Sequence, residues 1–288
     1  MKICLIGSEK NSKLHALYLQ TLPGVEVETI VVETQQDIQS IHLATDIDFI
    51  DLCVEEEQLE DTLKKIGKGD KILLTEEISQ SNFLKNTIMK NSMIRFSTKM
   101  MALPELKSLG EQVRQSKLGK LGVQTISLKS QQHVPVYQSF SYSEISLLHW
   151  VVATLGNFQS VYAMEQNQRY LTVQIRMEDG SYVHFECARE FGIDELSIEL
   201  TGLEGMLSYH DREATPLRLT NNQGEESAFR PYGEPILKRQ LADALYIQAN
   251  GEPFANIQEW MNTFELIDAI SQSIVKGKQQ FNRGRCDA

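Results

Sequence analysis

Residues 1–22 read MKICLIGSEKNSKLHALYLQTL, and the reading of this stretch decides the fold of the chain. Residues 2–6 (KICLI) form a short apolar run of strand-favouring side chains ended by Gly7, and residues 13–22 (KLHALYLQTL) carry Leu14, Leu17 and Leu22 at helical spacing. Asn11 or Ser12 is the expected N-cap. The stretch predicts the strand, loop and helix of a dinucleotide-binding unit. In such a unit G-x-G-x-x-G lets the backbone turn tightly and approach a pyrophosphate lying on the helix N-terminus. The six positions here are Gly7, Ser8, Glu9, Lys10, Asn11 and Ser12, so one glycine of the three is present. Glu9 places a Cβ where the ligand needs close approach, and a carboxylate where a diphosphate would lie. At roughly 4 Å and an effective dielectric near 20, each like-charge pair costs about 4 kcal/mol. Lys10 and Lys13 offset part of this, and Ser12 is small enough to keep helix and strand close. A first βα unit with no nucleotide at all is the other reading of the same residues.

Working outward, Pro23 and Gly24 make a turn, and residues 25–33 (VEVETIVVE) predict a second strand ending at Glu33. An acidic residue there accepts ribose hydroxyls in a dinucleotide fold; a solvated strand-end carboxylate is the alternative. A short amphipathic stretch at 36–42, a strand at 49–54, a helix at 58–66 stopped by Gly67 and Gly69, and a strand at 71–75 follow. Glu55, Glu56 and Glu57 read as a solvated helix start. The alternation of apolar strands and helices predicts a parallel sheet covered on both faces. The pattern changes near Met93. Beyond it come a helix at 104–115 opened by proline, and strands at 123–129, 169–178, 182–188, 196–201 and 206–210, with hairpin turns such as Asp179-Gly180. Helices are predicted at 142–155, 236–248 and 257–276.

The 288 residues are enough for two domains, and the expected division is a Rossmann-like domain at 1–96 and an α/β domain with a large, mostly antiparallel open sheet at 97–288. A net charge of −11 argues against nucleic acid and anionic membrane surfaces as partners. No apolar run reaches transmembrane length, and Met1 leads straight into a strand without a cationic leader, so a cytoplasmic protein is expected. Cys4, Cys53, Cys187 and Cys286 form no C-x-x-C pair, which favours reduced thiols; Cys4 and Cys53 read as small buried hydrophobes. The histidines (His15, His42, His133, His149, His184, His210) have no spacing that supports a metal site.

Several short motifs recur in a telling order. They are Gly7 with His15, Leu22-Pro23-Gly24-Val25, Phe49-Ile50-Asp51, Arg95-Phe96, Lys117-Leu118-Gly119-Lys120, Glu144-Ile145 with Leu148-His149-Trp150, and Thr201-Gly202 with Gly205 and Leu207. In this order and spacing the chain resembles the Gfo/Idh/MocA oxidoreductases, over nearly its whole length. The resemblance implies an N-terminal Rossmann domain, NAD or NADP as cofactor, and a small-molecule ligand in the interdomain cleft. Gly7, Glu9, Asn11, Ser12 and Glu33 then fall at cofactor-binding positions. Family enzymes carry a Glu-Lys-Pro stretch after the strand matching 71–75, whose lysine holds substrate and cofactor; that position here is Glu77. They also carry Asp-x-x-x-His at the start of the helix matching 142–155; those positions are Ser139 and Ser143, and a further aspartate is Ser146. His149, three residues from Ser146, joins Glu77, Ser139 and Ser143 as a candidate catalytic position, a substitute acid-base group; the resemblance also matches it to a packing histidine beside Trp150.

Ser139, Ser143 and Ser146 are spaced to share one helix face, while Ile145, Leu148, Val152 and Leu155 are buried on another. Hydride transfer from an alcohol needs a base with a pKa near the working pH, and an isolated serine does not supply one. Two functions are therefore weighed. One is a pseudoenzyme that binds a ligand or partner, as a galactose-pathway transcriptional co-regulator of the family does, with cofactor binding weak or absent. The other is an active NAD(P)-dependent reductase with altered catalytic residues, for example on an imine-type substrate as in the family's thiazolinyl imine reductases. Association as a homodimer or homotetramer is expected through an uncovered sheet face carrying Val173, Ile175, Val183, Phe185 and Ile198.

Overall fold

The computed structural model describes the chain except residues 67–69, 76–84, 87–92, 132–139, 232, 255 and 283–288. It divides into two compact units, Met1–Ala102 with Gly233–Gln258, and Leu103–Tyr232 with Glu259–Ala288. The first unit contains β1 (Lys2–Gly7), α1 (Glu9–Leu19), β2 (Glu26–Val31), α2 (Gln35–Gln39), β3 (Phe49–Cys53), α3 (Glu56–Ile66), β4 (Ile72–Leu74), β5 (Ile94–Phe96) and α4 (Lys99–Ala102). Its five strands form a parallel sheet in the order β2-β1-β3-β4-β5. The apolar strands β1, β3 and β4 are buried along nearly their whole length, as strands covered on both faces must be.

The same unit takes back a later piece of the chain, helix α7 (Ile236–Ala249). Leu241 and Ala244 of α7 and Phe254 beyond it form one core cluster with Ile3, Leu19, Phe49 and Leu73. Polar contacts fix the return. Asn256 accepts the Phe96 amide at 3.2 Å and donates to the Phe96 carbonyl at 3.0 Å, and Lys71 Nζ donates to Gln248 Oε1 at 2.8 Å. The sequence reading ran the second domain unbroken from residue 97. Nothing local to 233–258 announces its destination, because its apolar positions are amphipathic in the ordinary way and the partners lie some two hundred residues earlier.

The second unit holds α5 (Pro104–Arg114), β6 (Leu121–Ser130), α6 (Tyr142–Leu155), β7 (Phe158–Gln166), β8 (Tyr170–Met177), β9 (Tyr182–Arg189), β10 (Glu195–Gly202), β11 (Gly205–His210), β12 (Leu217–Asn221), β13 (Glu226–Phe229) and β14 (Gln280–Phe281). Helix α8 (Ile257–Lys276) lies in it except for its first two residues. The strands form one nine-stranded sheet, β13-β12-β11-β10-β6-β9-β8-β7-β14, antiparallel throughout except for β6 beside β9. Inward and outward residues alternate. One expectation is corrected here: Val173, Ile175, Val183, Phe185 and Ile198 are at most 1% exposed and belong to the core. The other face mixes polar residues such as Thr172, Gln174, Arg176, His184, Glu186 and Glu199 with the exposed Val123, Met164, Tyr170 and Tyr182. Alternation fixes that these five share a face but not which face the helices take. Among the described residues no helix is long and apolar enough to cross a membrane.

Candidate functional site

In the first unit the site lies at the carboxyl ends of β1 and β3, where the strand order reverses and doubly wound sheets leave a ligand crevice. Ser8 alone connects β1 to α1. It is also the N-cap, with an extended backbone and an Oγ that accepts the Asn11 amide at 3.4 Å. Asn11 and Ser12, expected as caps, lie inside the helix. Asn11 Nδ2 donates to the Cys53 carbonyl at 3.4 Å, and the buried Ser12 hydroxyl donates to the Ser8 carbonyl at 2.7 Å. Ser12 thus keeps α1 close to β1, as its size suggested. Gly7 has a steric reason: a Cβ there would lie 2.2 Å from Cys53 Sγ and 2.7 Å from the Cys53 carbonyl oxygen.

The two acids of this site divide the work differently from the sequence reading. Glu9 Oε1 takes a bond from Lys13 Nζ at 2.5 Å, one turn along the helix, and this bond together with the lysine's charge holds the Glu9 carboxyl below its ordinary range. The carboxylate on the helix end is that of Glu33, whose Oε1 accepts the Glu9 amide at 2.6 Å. Glu33 is itself held. Its amide donates to Asp37 Oδ2 at 3.1 Å, and its carbonyl accepts from Gln58 Nε2 at 3.0 Å. Asp37 also closes a capping box with Thr34 at the start of α2. The N-terminus of α1 therefore carries an anion from its own chain, in the place its dipole favours. Beneath it, His15 Nδ1 meets Asp51 Oδ2 at 2.7 Å, both side chains buried, and pins α1 to β3.

In the second unit α6 spans the predicted helix, but it is buried from Glu144 through Val152 rather than along one stripe. Ser143 is half-buried, and Ser146 is fully buried with no partner for its hydroxyl among the described residues. His149 is fully buried, stacked on Trp260 at 4.0 Å and 10°, with Nδ1 at 3.0 Å from Thr263 Oγ1. Ser143 and His149 stand six positions apart, about 9 Å along the helix axis and not on one helix face. Glu77 and Ser139 lie outside the described residues.

The start of α6 holds a network the sequence reading missed. Ser141 caps the helix in a capping box with Glu144, whose Oε2 accepts the Ser141 amide at 2.7 Å. Arg189 grips Glu144 through Nε at 2.7 Å and Nη2 at 3.1 Å, and reaches Glu165 through Nη1 at 2.8 Å. Burial, then the Glu144 charge, pushes the neighbouring Cys187 thiol up; burial also pushes the Cys4 thiol, in the first unit, up to about 12. Both thiols are buried. The S-x-x-E signature was present in the sequence, but its arginine partner stands on a strand far along the chain. Among the described residues no group of three or more His, Cys, Asp or Glu is placed to hold a metal ion.

No family model matches the sequence, and no curated protein matches it significantly. Solved structures do match in fold. A myo-inositol dehydrogenase from Corynebacterium glutamicum superposes with a TM-score of 0.75 at 17% identity, over 98% of each chain. An oxidoreductase from Agrobacterium radiobacter, solved with NAD+, L-tartaric acid and magnesium, gives 0.71 at 14% identity over 99% of each chain. An oxidoreductase from Sinorhizobium meliloti gives 0.69 at 11%, over 97% of this chain and 99% of the other. At these identities the likeness is one of fold, a Rossmann-like unit joined to a large open sheet.

Proposed function

We propose that the chain is a Gfo/Idh/MocA-type homologue that has lost sugar and polyol dehydrogenase activity and acts in the cytoplasm by binding a small-molecule ligand or a protein partner. The observation that carries this reading is the 2.6 Å bond from the Glu9 amide to Glu33. A nicotinamide dinucleotide has to set its diphosphate on that helix end, against a carboxylate already seated there. The family's lysine, aspartate and histidine positions, occupied by Glu77, Ser139 and Ser143, support it further, since neither a carboxylate nor a serine hydroxyl ordinarily offers a base with a pKa near neutrality. Buried His149, engaged by Thr263 and Trp260, is a packing residue in this reading.

The test is a thermal-shift panel with NAD, NADH, NADP and NADPH. A ligand of the native state stabilises it by RT ln(1 + [L]/Kd), about 2.7 kcal/mol at a hundredfold excess over Kd. The expected outcome is no shift at millimolar cofactor. Binding at low micromolar concentration overturns the reading and turns attention to the active-reductase alternative. Steady NAD- or NADP-linked turnover of myo-inositol or glucose, proportional to protein and abolished by Ser143→Ala, has the same force.

A further inference from the structure

We propose that a second copy of this chain binds along the free edge of β2, the two β2 strands pairing antiparallel about a two-fold axis at Thr29. Strand β2 is the outermost on its side of the parallel sheet. Six-stranded doubly wound sheets carry another strand outside the second one. Here the chain passes from β2 through the five-residue α2 directly to β3, and no strand of the described residues takes that place.

The ladder shows which groups face the opening. Glu26 donates its amide to the Met1 carbonyl at 2.8 Å and Val32 to that of Gly7 at 2.9 Å, so the even-numbered residues bond β1. In a parallel ladder the residues between them, Val27, Thr29 and Val31, turn N–H and C=O outward. Among the described residues these groups have no partner. A row of unpaired edge groups is a template for another strand.

The sequence of the edge selects its own copy. Its outward residues read Val-Thr-Val in either direction, so antiparallel pairing about Thr29 sets Thr29 against the partner's Thr29 and Val27 against the partner's Val31. Such β-branched pairs are favourable, and Val31, 45% exposed, is covered. Charge fixes the register. Centring on Thr29 sets Glu28 opposite the partner's Ile30 and Glu26 opposite the partner's Val32. Centring on Val27 sets Glu26 against the partner's Glu28, and centring on Glu28 sets that residue against itself, both destabilising. Centres at Ile30 or Val31 shorten the overlap.

The test uses the full chain with Cys286→Ser, to remove the thiol of the polar tail. In a hydrogen-bonded antiparallel pair the facing Cα atoms lie about 5.5 Å apart, within disulfide range. Thr29→Cys is therefore expected to form a disulfide-linked dimer under mild oxidation at low micromolar protein, while Val27→Cys, facing the partner's Val31, gives none. Thr29→Pro removes an N–H that bonds nothing among the described residues, and proline is tolerated at such an edge position. It is expected to convert the dimer to a monomer in light scattering, with unchanged circular dichroism. Because each copy is strongly acidic, the dimer fraction is expected to rise with salt. A monomer at 50 µM, a dimer that withstands Thr29→Pro, or absence of the Thr29→Cys cross-link overturns the proposal.

Discussion

Two helices of this molecule begin alike and are closed by carboxylates of opposite character. α1 and α6 each start from a serine N-cap on extended backbone, Ser8 and Ser141. At α6 the acid is local and sealed in: Glu144 returns to the Ser141 amide and is gripped by Arg189, with no exposed surface. At α1 the acid is Glu33, which comes from beyond the next strand and stands exposed to solvent. Both arrangements satisfy amides that a helix start leaves open. A buried ion pair is committed, because releasing either partner leaves a charge without water. An exposed carboxylate gives up its amide to water at small cost in stability, but Glu33 stays tethered to the end of β2 beside the helix start and keeps its charge against an incoming anion. The α6 end is closed by a structural lock, the α1 end by an electrostatic occupant.

The most forceful way to break this contrast is Arg189→Met, which strands Glu144 in the core. The expected loss is about 3–5 kcal/mol in urea unfolding of the second unit, partly recovered by adding Glu144→Gln. A loss under about 1 kcal/mol would show that Glu144 does not depend on Arg189, and the contrast would fail. A middle-sized effect is expected from Gly7→Ala. The added Cβ meets the Cys53 carbonyl as well as its sulfur, and overpacking of this kind costs about 1–3 kcal/mol. The smallest effect sharpens the contrast: Glu33→Ala is expected to leave the urea midpoint close to that of the unmodified chain. A loss as large as that of Arg189→Met would mean that Glu33 is as structural as Glu144.

Much of the fold was legible because it repeats over long windows. The apolar periodicity of residues 142–155 and 257–276 gave helices with the observed limits, and the βα alternation gave the parallel sheet. What escaped was short, partnered at a distance or broken in its period: β7, nine residues long, loses its alternation at the register shift between Phe158 and Ser160, where Ser160 and Val161 are both buried. β5 has three residues, too few to show a period, while β12 and β13 are short and largely solvent-facing. The candidate site was legible as a place and misread in its electrostatics. Glu9 sits at a glycine position and invites blame for the lost phosphate loop, but a side chain on the first turn can bond one turn ahead, and Lys13 offers that bond. Glu33, read as a ribose acceptor or a solvated strand end, closes the helix because the parallel register brings Val31 level with Gly7.

The return of α7 to the first unit has a consequence for how the protein is made. Residues 1–102 leave the ribosome with Ile3, Leu19, Phe49 and Leu73 still lacking Leu241, Ala244 and Phe254. At roughly 5–20 residues per second, the nascent first unit waits about ten to thirty seconds for the segment that completes its core. During that interval its apolar face is uncovered, while the intervening chain of the second unit is being synthesised. The last part of the first unit to be built is thus a helix encoded well over a hundred residues after Ala102, and a chain stalled before it exposes the core that α7 would have covered.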